Sequence, residues 1–191
     1  MISTILNRRA ARSAGPRVPQ RALVFDPARE LLDTWKTSNR VTVFLIEGIP
    51  KKLWPQKVPG TPRRTVQNLA AHIHNSRCMW IKMVGKNILK TPPRVDRRSV
   101  TQKQLVKALD RSSIALLKIF SASLDNNGKL PTVPPWMNVQ PEVIHFMAYL
   151  IAHEGHHRGQ LTMIAHQLGH RLPAEVRYGL WQWIKRGKEA R

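Results

Sequence analysis

Residues 149–161 read Tyr149-Leu150-Ile151-Ala152-His153-Glu154-Gly155-His156-His157-Arg158-Gly159-Gln160-Leu161 and carry three of the chain's eight histidines. Apolar residues recur at intervals of three and four positions on both sides of this stretch, which predicts a long helix from about residue 142 to residue 168. These apolar positions are Val143, Phe146, Met147, Leu150, Leu161, Ile164 and Leu168. Because a helix turns by about 100° per residue, His157 falls inside the apolar stripe, His153 falls at its edge and His156 points away. The pattern therefore predicts that a pair of histidines faces the interior.

The pair His153 and His157 is spaced as two metal ligands on one helix can be. The two residues are four positions apart, so their rings lie one turn apart on the same face. Imidazole nitrogens are common ligands of divalent ions, and a helix holds two of them rigidly. The alternative is that both are core histidines satisfied by hydrogen bonds, which is the commoner use of one histidine on an apolar face. A third ligand from another helix would favour the metal site.

Length and composition favour one globular, all-α domain. The chain has 191 residues, of which 42% are hydrophobic, and this is enough for a sizeable core. Helical periodicity dominates, and no apolar run is long enough to predict a transmembrane helix. A single cysteine, Cys78, excludes a disulfide within the chain and agrees with a reducing cytosol. We therefore expect a cytoplasmic protein.

The charge balance is strongly basic, with 32 Lys and Arg against 11 Asp and Glu and a net charge of +21. Such a charge attracts nucleic acid, anionic lipid or small anions. The basic residues are spread over the N-terminal segment and the connections, and no nucleic-acid motif accompanies them, so a solvated basic surface is favoured over specific nucleic-acid binding. Residues 1–22 hold five arginines and no acid; we predict a disordered tail or a start codon placed too far upstream, with a transit peptide as the alternative. Residues 23–191 form the predicted domain.

Capping residues and helix breakers divide that domain into helices. Asp26 and Thr65 are suitable caps, and Thr101 with Gln104 forms a capping box. We predict helices over about residues 27–48, 66–84, 102–125 and 142–168, and a short terminal helix over 173–184. The long connections between them are 50–64, 86–100 and 129–141, the first with Trp54 as an apolar plug. This order predicts a four-helix bundle with long connections and a short C-terminal helix, whose end could be covered by the aromatic residues Tyr178, Trp181 and Trp183.

The predicted second helix offers two further histidines and one unusual arginine. His72 and His74 lie on opposite sides of Ile73, each about 100° from it, so periodicity does not choose which one turns inward. Arg77 falls on the apolar stripe itself. Either its stem lies along the core with its charge in water, or its guanidinium faces a polar cavity.

Residues 64–82 and 152–160 together resemble the DinB/YfiT-like superfamily of four-helix-bundle metalloproteins, the DinB family. The resemblance extends over about residues 24–184. In that family one histidine of the second helix joins two of the last long helix to bind a divalent metal. The resemblance therefore implies His72, rather than His74, as the third ligand beside His153 and His157. Imidazole ligands suit zinc and nickel equally, so the metal is predicted as Zn or Ni.

The resemblance also implies a type of chemistry. Three histidines leave a coordination position open, as catalytic zinc sites do, and members of the superfamily include transferases and isomerases that use a low-molecular-weight thiol. We hypothesise a metal-dependent thiol S-transferase whose cosubstrate is an anionic thiol such as glutathione. The alternatives are a metal-binding stress-response protein without turnover and a basic nucleic-acid-associated protein. Homodimers are common in the family, which makes a homodimer a further expectation.

Several neighbouring residues are candidates for supporting roles. Glu154 can accept a proton, orient a ligand, or form a structural ion pair with Arg77 or Arg158. Arg158 can bind an anionic group or brace the bundle, and Arg77 is a candidate for contact with a cofactor. For the tryptophans we predict packing rather than stacking on a ligand, and these are Trp80, Trp136 and Trp181.

Overall fold

Four long α-helices form the body of the protein in the computed structural model, which describes residues 25–190. They are α1 (Pro27–Gly48), α2 (Val66–Val84), α3 (Gln102–Asp125) and α4 (Val143–Gln167). The described chain is mostly helical, which confirms the all-α class. The predicted N-terminal tail lies outside the described residues. Within residues 25–190, none of the helices combines the length and the apolar character that a bilayer crossing needs.

Local capping explains why the long helices begin where the sequence predicts. The Asp26 carboxylate accepts hydrogen bonds from the backbone N–H groups of Ala28 and Arg29, and the Thr65 hydroxyl accepts one from Asn68. The capping box of Thr101 and Gln104 is present at the start of α3. These side chains satisfy backbone donors that have no partner in the first turn of a helix. Past the end of α4, Gly169 has a φ of +77°, a conformation that glycine adopts without strain.

The connection at residues 50–64 was predicted as a loop, and this prediction was wrong. A 3-10 turn over Lys51–Leu53 is followed by a two-stranded antiparallel hairpin, β1 (Lys57–Val58) and β2 (Thr61–Thr65). The strands are too short and too polar to show an alternating apolar pattern. Trp54 is the apolar plug that the sequence predicts, because it is buried and its indole N–H donates to the carbonyl of Val100 at 2.8 Å.

The predicted terminal helix over 173–184 was also wrong, since the structure has two helices there. They are α5 (Ala174–Gly179) and α6 (Trp183–Glu189). The break lets both short helices contact α1: a Cβ atom on Gly179 would lie 2.5 Å from the Phe44 ring, and the Arg186 guanidinium lies 3.9 Å from the centre of that ring. The aromatic residues do not cover the end of the molecule, because Trp181 is 82% exposed.

The core consists of two apolar clusters separated by polar side chains. One cluster contains Leu45 and Leu161, and the other contains Trp35 and Phe146. Between them lies a polar layer, to which every long helix contributes at least one buried residue. Its members include Thr42, Arg77, Ser112 and Glu154. The helices α1 and α2 each contact both α3 and α4, so the polar layer lies where all four meet.

Gly179 is required by the close approach of α5 to α1. A methyl group there would overlap the Phe44 ring, whereas a methyl group on Gly159 of α4 would meet no atom within 4 Å. We expect Gly179→Ala to lower the free energy of unfolding by about 1–3 kcal/mol through overpacking. Gly159→Ala serves as the control and should raise it by about 0.4–1 kcal/mol, because alanine favours the helix. Urea denaturation of both variants tests the packing, and equal stability of the two would contradict it.

Candidate metal centre

Three histidines from two helices converge at one point of the structure. His72 comes from α2, and His153 and His157 come from consecutive turns of α4. One ring nitrogen of each lies within 4.8 Å of the others. The centres of the rings are 4.7 Å apart for His72 and His157 and 4.5 Å apart for His153 and His157. Three nitrogens this close can bind one cation together.

Gln160 fixes the orientation of the His157 ring. The Nδ1 atom of His157 lies 2.8 Å from Oε1 of Gln160, which can only accept a hydrogen bond, so the proton of the neutral ring belongs on Nδ1. The amide group of Gln160 donates in turn to His156 at 2.9 Å. The other ring nitrogen of His157, Nε2, thus keeps its lone pair and points at Nε2 of His153, 3.1 Å away. A partner of this kind is a usual feature of a metal-binding histidine.

The environment keeps all three rings neutral. Burial is the main cause that lowers the pKa of His72 to about 4, and repulsion of a protonated ring by His157, were it protonated too, and by Arg97 adds to the shift. Burial likewise lowers the pKa of His153 and of His157. A histidine must lose its proton before it can bind a metal, so these shifts leave the nitrogens free to do so at neutral pH.

The residues of the cluster fit a divalent metal of the first transition row. Neutral imidazoles suit zinc and nickel among others, and three protein ligands are the number found at zinc sites that keep a position for water or substrate. Among the described residues, the group that can hold an ion contains these histidines and neither a thiolate nor a carboxylate. The structure therefore contains a three-histidine cluster that could bind a metal ion.

His74, the alternative that periodicity left open, lies elsewhere. Its ring is fully buried, with Nε2 3.0 Å from the carbonyl oxygen of Pro93 and Nδ1 3.1 Å from the hydroxyl of Ser112. Cys78 lies beside it, its sulfur 3.3 Å from Nε2, and burial raises the pKa of this thiol to about 11. His74 is thus a core histidine satisfied by hydrogen bonds, and Cys78 is a neutral thiol outside the cluster.

Two arginines and an aromatic group surround the cluster. Arg97, from the connection between α2 and α3, places Nη2 3.3 Å from Nδ1 of His72, and the charge of Arg64 at the end of β2 contributes to the lowered pKa of His72. The ring of Tyr149 stacks on His153 with centres 6.2 Å apart. Trp80 packs edge-on against Tyr149, as predicted for a packing residue. Cationic and aromatic groups therefore both lie beside the cluster.

Arg77 and Glu154 form a buried ion pair beside this cluster, and each side chain is 1% exposed. Two parallel hydrogen bonds join them, from Nε to Oε1 at 2.6 Å and from Nη2 to Oε2 at 2.8 Å. The remaining Arg77 nitrogen donates to Asn39 and to the carbonyl of Leu109. Of the two alternatives for Arg77, the structure has the guanidinium in a polar cavity rather than extended to water.

The protonation of Glu154 follows from this pairing. Burial alone raises the pKa of its carboxyl, but the charge and hydrogen bonds of Arg77, with Arg158 further away, lower it below its ordinary value. Thr42 donates a hydrogen bond to Glu154 at 2.9 Å and accepts one from Arg158 at 2.9 Å. Glu154 is therefore a paired carboxylate in the core, and Arg158 lies at the outer edge of the same network.

The predicted site residues thus fall into two connected groups. The histidines form the cluster, and the charged residues form the network next to it along α4. The catalytic roles of Glu154 and Arg158 and a cofactor contact of Arg77 remain predictions. Sequence reasoning gave no role at the cluster to Arg64, Arg97 or Gln160. For Gln160 a signal was available, since it follows His157 by three positions and so lies on the same side of the helix.

Removal of one member tests the ion pair. Glu154→Ala leaves a buried, unpaired guanidinium, and we expect the free energy of unfolding to fall by about 3–5 kcal/mol. Glu47→Ala is the control, because it removes a surface partner of Arg40 that is 47% exposed, and it should cost less than about 1 kcal/mol. The double variant Arg77→Met/Glu154→Leu should recover much of the loss. A loss for Glu154→Ala as small as that of the control would contradict the role of the pair.

Comparison with known proteins agrees with this arrangement. A sequence model of the DinB family matches residues 22–185, which include α1 to α4 and all three histidines of the cluster. The comparison with curated proteins finds no match. Because the family match covers most of the 191 residues, the chain belongs to the DinB family.

Proposed function

We propose that the protein is a metal-dependent enzyme that joins a low-molecular-weight thiol to an electrophilic substrate, with Zn or Ni held by His72, His153 and His157 inside a four-helix bundle. The observation that carries this proposal is the convergence of three neutral imidazoles with no thiolate or carboxylate in the group. Membership of the DinB family supports it. When bound, the ion supplies a Lewis acid that lowers the pKa of a thiol or of water in its open position.

The chain's own residues bind the cosubstrate in this proposal. Arg97 lies against His72, and the positive charge of Arg64 also lowers the pKa of that ring. Glu154, whose negative charge raises the pKa of His153 and of His157, is paired with Arg77. An anionic thiol with free carboxylates, such as glutathione, has the complementary charge. Arginine binds a carboxylate through two parallel hydrogen bonds, so these residues would orient the thiol towards the histidines.

The remaining predicted residues hold the histidines or the substrate in place. The ion pair with Arg77 holds Glu154, and therefore the segment of α4 on either side of it, at a fixed height against α2. Gln160 keeps the proton of His157 on Nδ1. The exposed ring of Tyr149, stacked on His153, offers an apolar surface to the electrophile. We propose that Glu154 and Arg77 are positioning residues and that Tyr149 contacts the substrate.

Metal content is the first property to measure. We expect about one divalent ion per purified chain, and loss of most of it in His72→Ala and in the double variant His153→Ala/His157→Ala, because one or two nitrogens remain. The control is His145→Ala, which removes an exposed histidine of α4 outside the cluster. Elemental analysis and melting temperatures would be recorded together. Full metal content in the double variant would contradict the site.

Thiol transfer can be tested with glutathione and 1-chloro-2,4-dinitrobenzene. A bond forms between the thiol sulfur and the ring carbon, the carbon–chlorine bond breaks, chloride leaves and the thiol proton passes to the solvent. We expect turnover that is lost in His72→Ala. Arg97→Gln should raise the KM for glutathione by about tenfold, the loss expected for one charge-assisted hydrogen bond of about 1.5 kcal/mol.

The control for Arg97→Gln is Arg98→Gln, which removes the exposed neighbouring arginine and should leave the KM unchanged. Equal effects of the two substitutions would indicate a general charge effect and contradict a binding role of Arg97. Stoichiometric metal without turnover on a range of thiols and electrophiles would contradict the enzyme and favour a protein that holds a metal without catalysis.

A further inference from the structure

A second concave surface lies on the other side of α4. A groove of about 510 Å³ runs between α4 and the C-terminal residues 171–183. Its wall on α4 includes Gly155, Arg158, Gly159 and Thr162. Because the helix turns by about 100° per residue, these positions lie on the face roughly opposite to His153 and His157. The groove is therefore separate from the histidine cluster.

The groove is deep because two glycines of α4 carry no side chain that would fill it. A Cβ atom on Gly159 would meet no atom of the described residues within 4 Å, and one on Gly155 would have Nη2 of Arg158 as its nearest neighbour among them, at 3.6 Å. The helix backbone is therefore bare at two positions one turn apart. A volume of about 500 Å³ is within the range of pockets that bind small molecules.

The lining combines apolar side chains with positive charge. The apolar part includes Trp181, Trp183 and Met163, and all three are exposed. Arg158, Arg171 and Arg177 contribute positive charge, and none of the described residues that line the groove is acidic. Arg158 uses Nη1 to bond Thr42, which leaves Nη2 above Gly155. A cation at the floor of an apolar groove is complementary to an anion that carries an apolar body.

We propose that this groove binds a small organic anion with an apolar or aromatic body, its charged group between Arg158 and Arg171 and its body against Trp181 and Trp183. Charge argues against two other occupants. A second copy of a chain with a net charge of +21 would bring two basic faces together, and residues 1–22 of the same chain carry five arginines and no acid. The proposal is independent of the metal and of the thiol reaction.

The probe is 8-anilinonaphthalene-1-sulfonate, an aromatic anion whose fluorescence rises in an apolar environment. We expect saturable binding at one site per chain, displacement by decanoate and no displacement by decyltrimethylammonium. Treatment with EDTA should leave binding unchanged, which separates this site from the proposed metal centre. Equal displacement by the cationic and the anionic detergent would overturn the proposal.

Two variants locate the probe. Gly159→Leu fills the groove and Arg171→Gln removes a charge, and each should weaken binding about tenfold. The matched controls are Ala148→Leu, an exposed position about three turns earlier on α4, and Arg98→Gln, and neither should change it. Circular dichroism confirms that each variant is folded. Unchanged binding of the probe to Gly159→Leu would overturn the proposal. Analytical ultracentrifugation gives a second test: a wild type that self-associates and a Gly159→Leu variant that is monomeric would show that a second copy occupies the groove, and this would also overturn the proposal.

Discussion

The ion pair between Arg77 and Glu154 constrains the whole interior. Two charges removed from water are costly, and they are tolerated only where hydrogen bonds satisfy nearly all of their polar atoms. Here the partners come from all four long helices, through Asn39 and Thr42 of α1 and the carbonyl of Leu109 on α3. If one helix were shifted along its axis by one turn, its apolar side chains would still contact apolar neighbours, but these hydrogen bonds would be lost. The polar layer therefore selects one axial register among packings that an apolar core alone would make nearly equal.

The position of the histidine cluster depends on the same axial register of α2 and α4. His72 lies five residues before Arg77 on α2, and His153 and His157 lie on either side of Glu154 on α4. The same two helices thus carry both the ion pair and the histidines, so the ion pair helps to hold α2 and α4 against each other beside the cluster. The charge of Arg77 also offsets part of that of Glu154, whose remaining effect is to raise the pKa of His153 and of His157. The three histidines are neutral and arginines lie beside them. An anion can therefore approach the cluster without being repelled.

The ends of the helices could be predicted because they depend on side chains next to them in sequence. The capping side chains bond to backbone groups within four residues, so the sequence alone predicts them; they are Asp26, Thr65 and the capping box at Thr101. The division of the C-terminal segment could not be predicted in this way. It depends on the contact of Gly179 with Phe44, which are far apart in the chain.

The members of the histidine cluster could likewise be predicted only in part from the sequence. His153 and His157 follow from periodicity, whereas His72 and His74 are equivalent on a helical wheel and needed the family resemblance to separate them. The structure shows the physical difference: His74 is enclosed by the carbonyl of Pro93 and by Ser112, and neither is near it in sequence. The approach of Arg97 to His72 likewise depends on the path of the connection between α2 and α3.

The glycines of α4 make the histidine-bearing turn of this helix depend on the rest of the domain. Gly155 and Gly159 stand within and just after the pair His153 and His157, and each lowers the intrinsic helix stability by about 1 kcal/mol relative to alanine. Short helices are marginal in water even without such residues. The turn that carries the two histidines is thus helical because α1 and α2 hold it, and the excised peptide would be largely unfolded. The ligand geometry belongs to the complete domain and could not be transplanted as a linear motif.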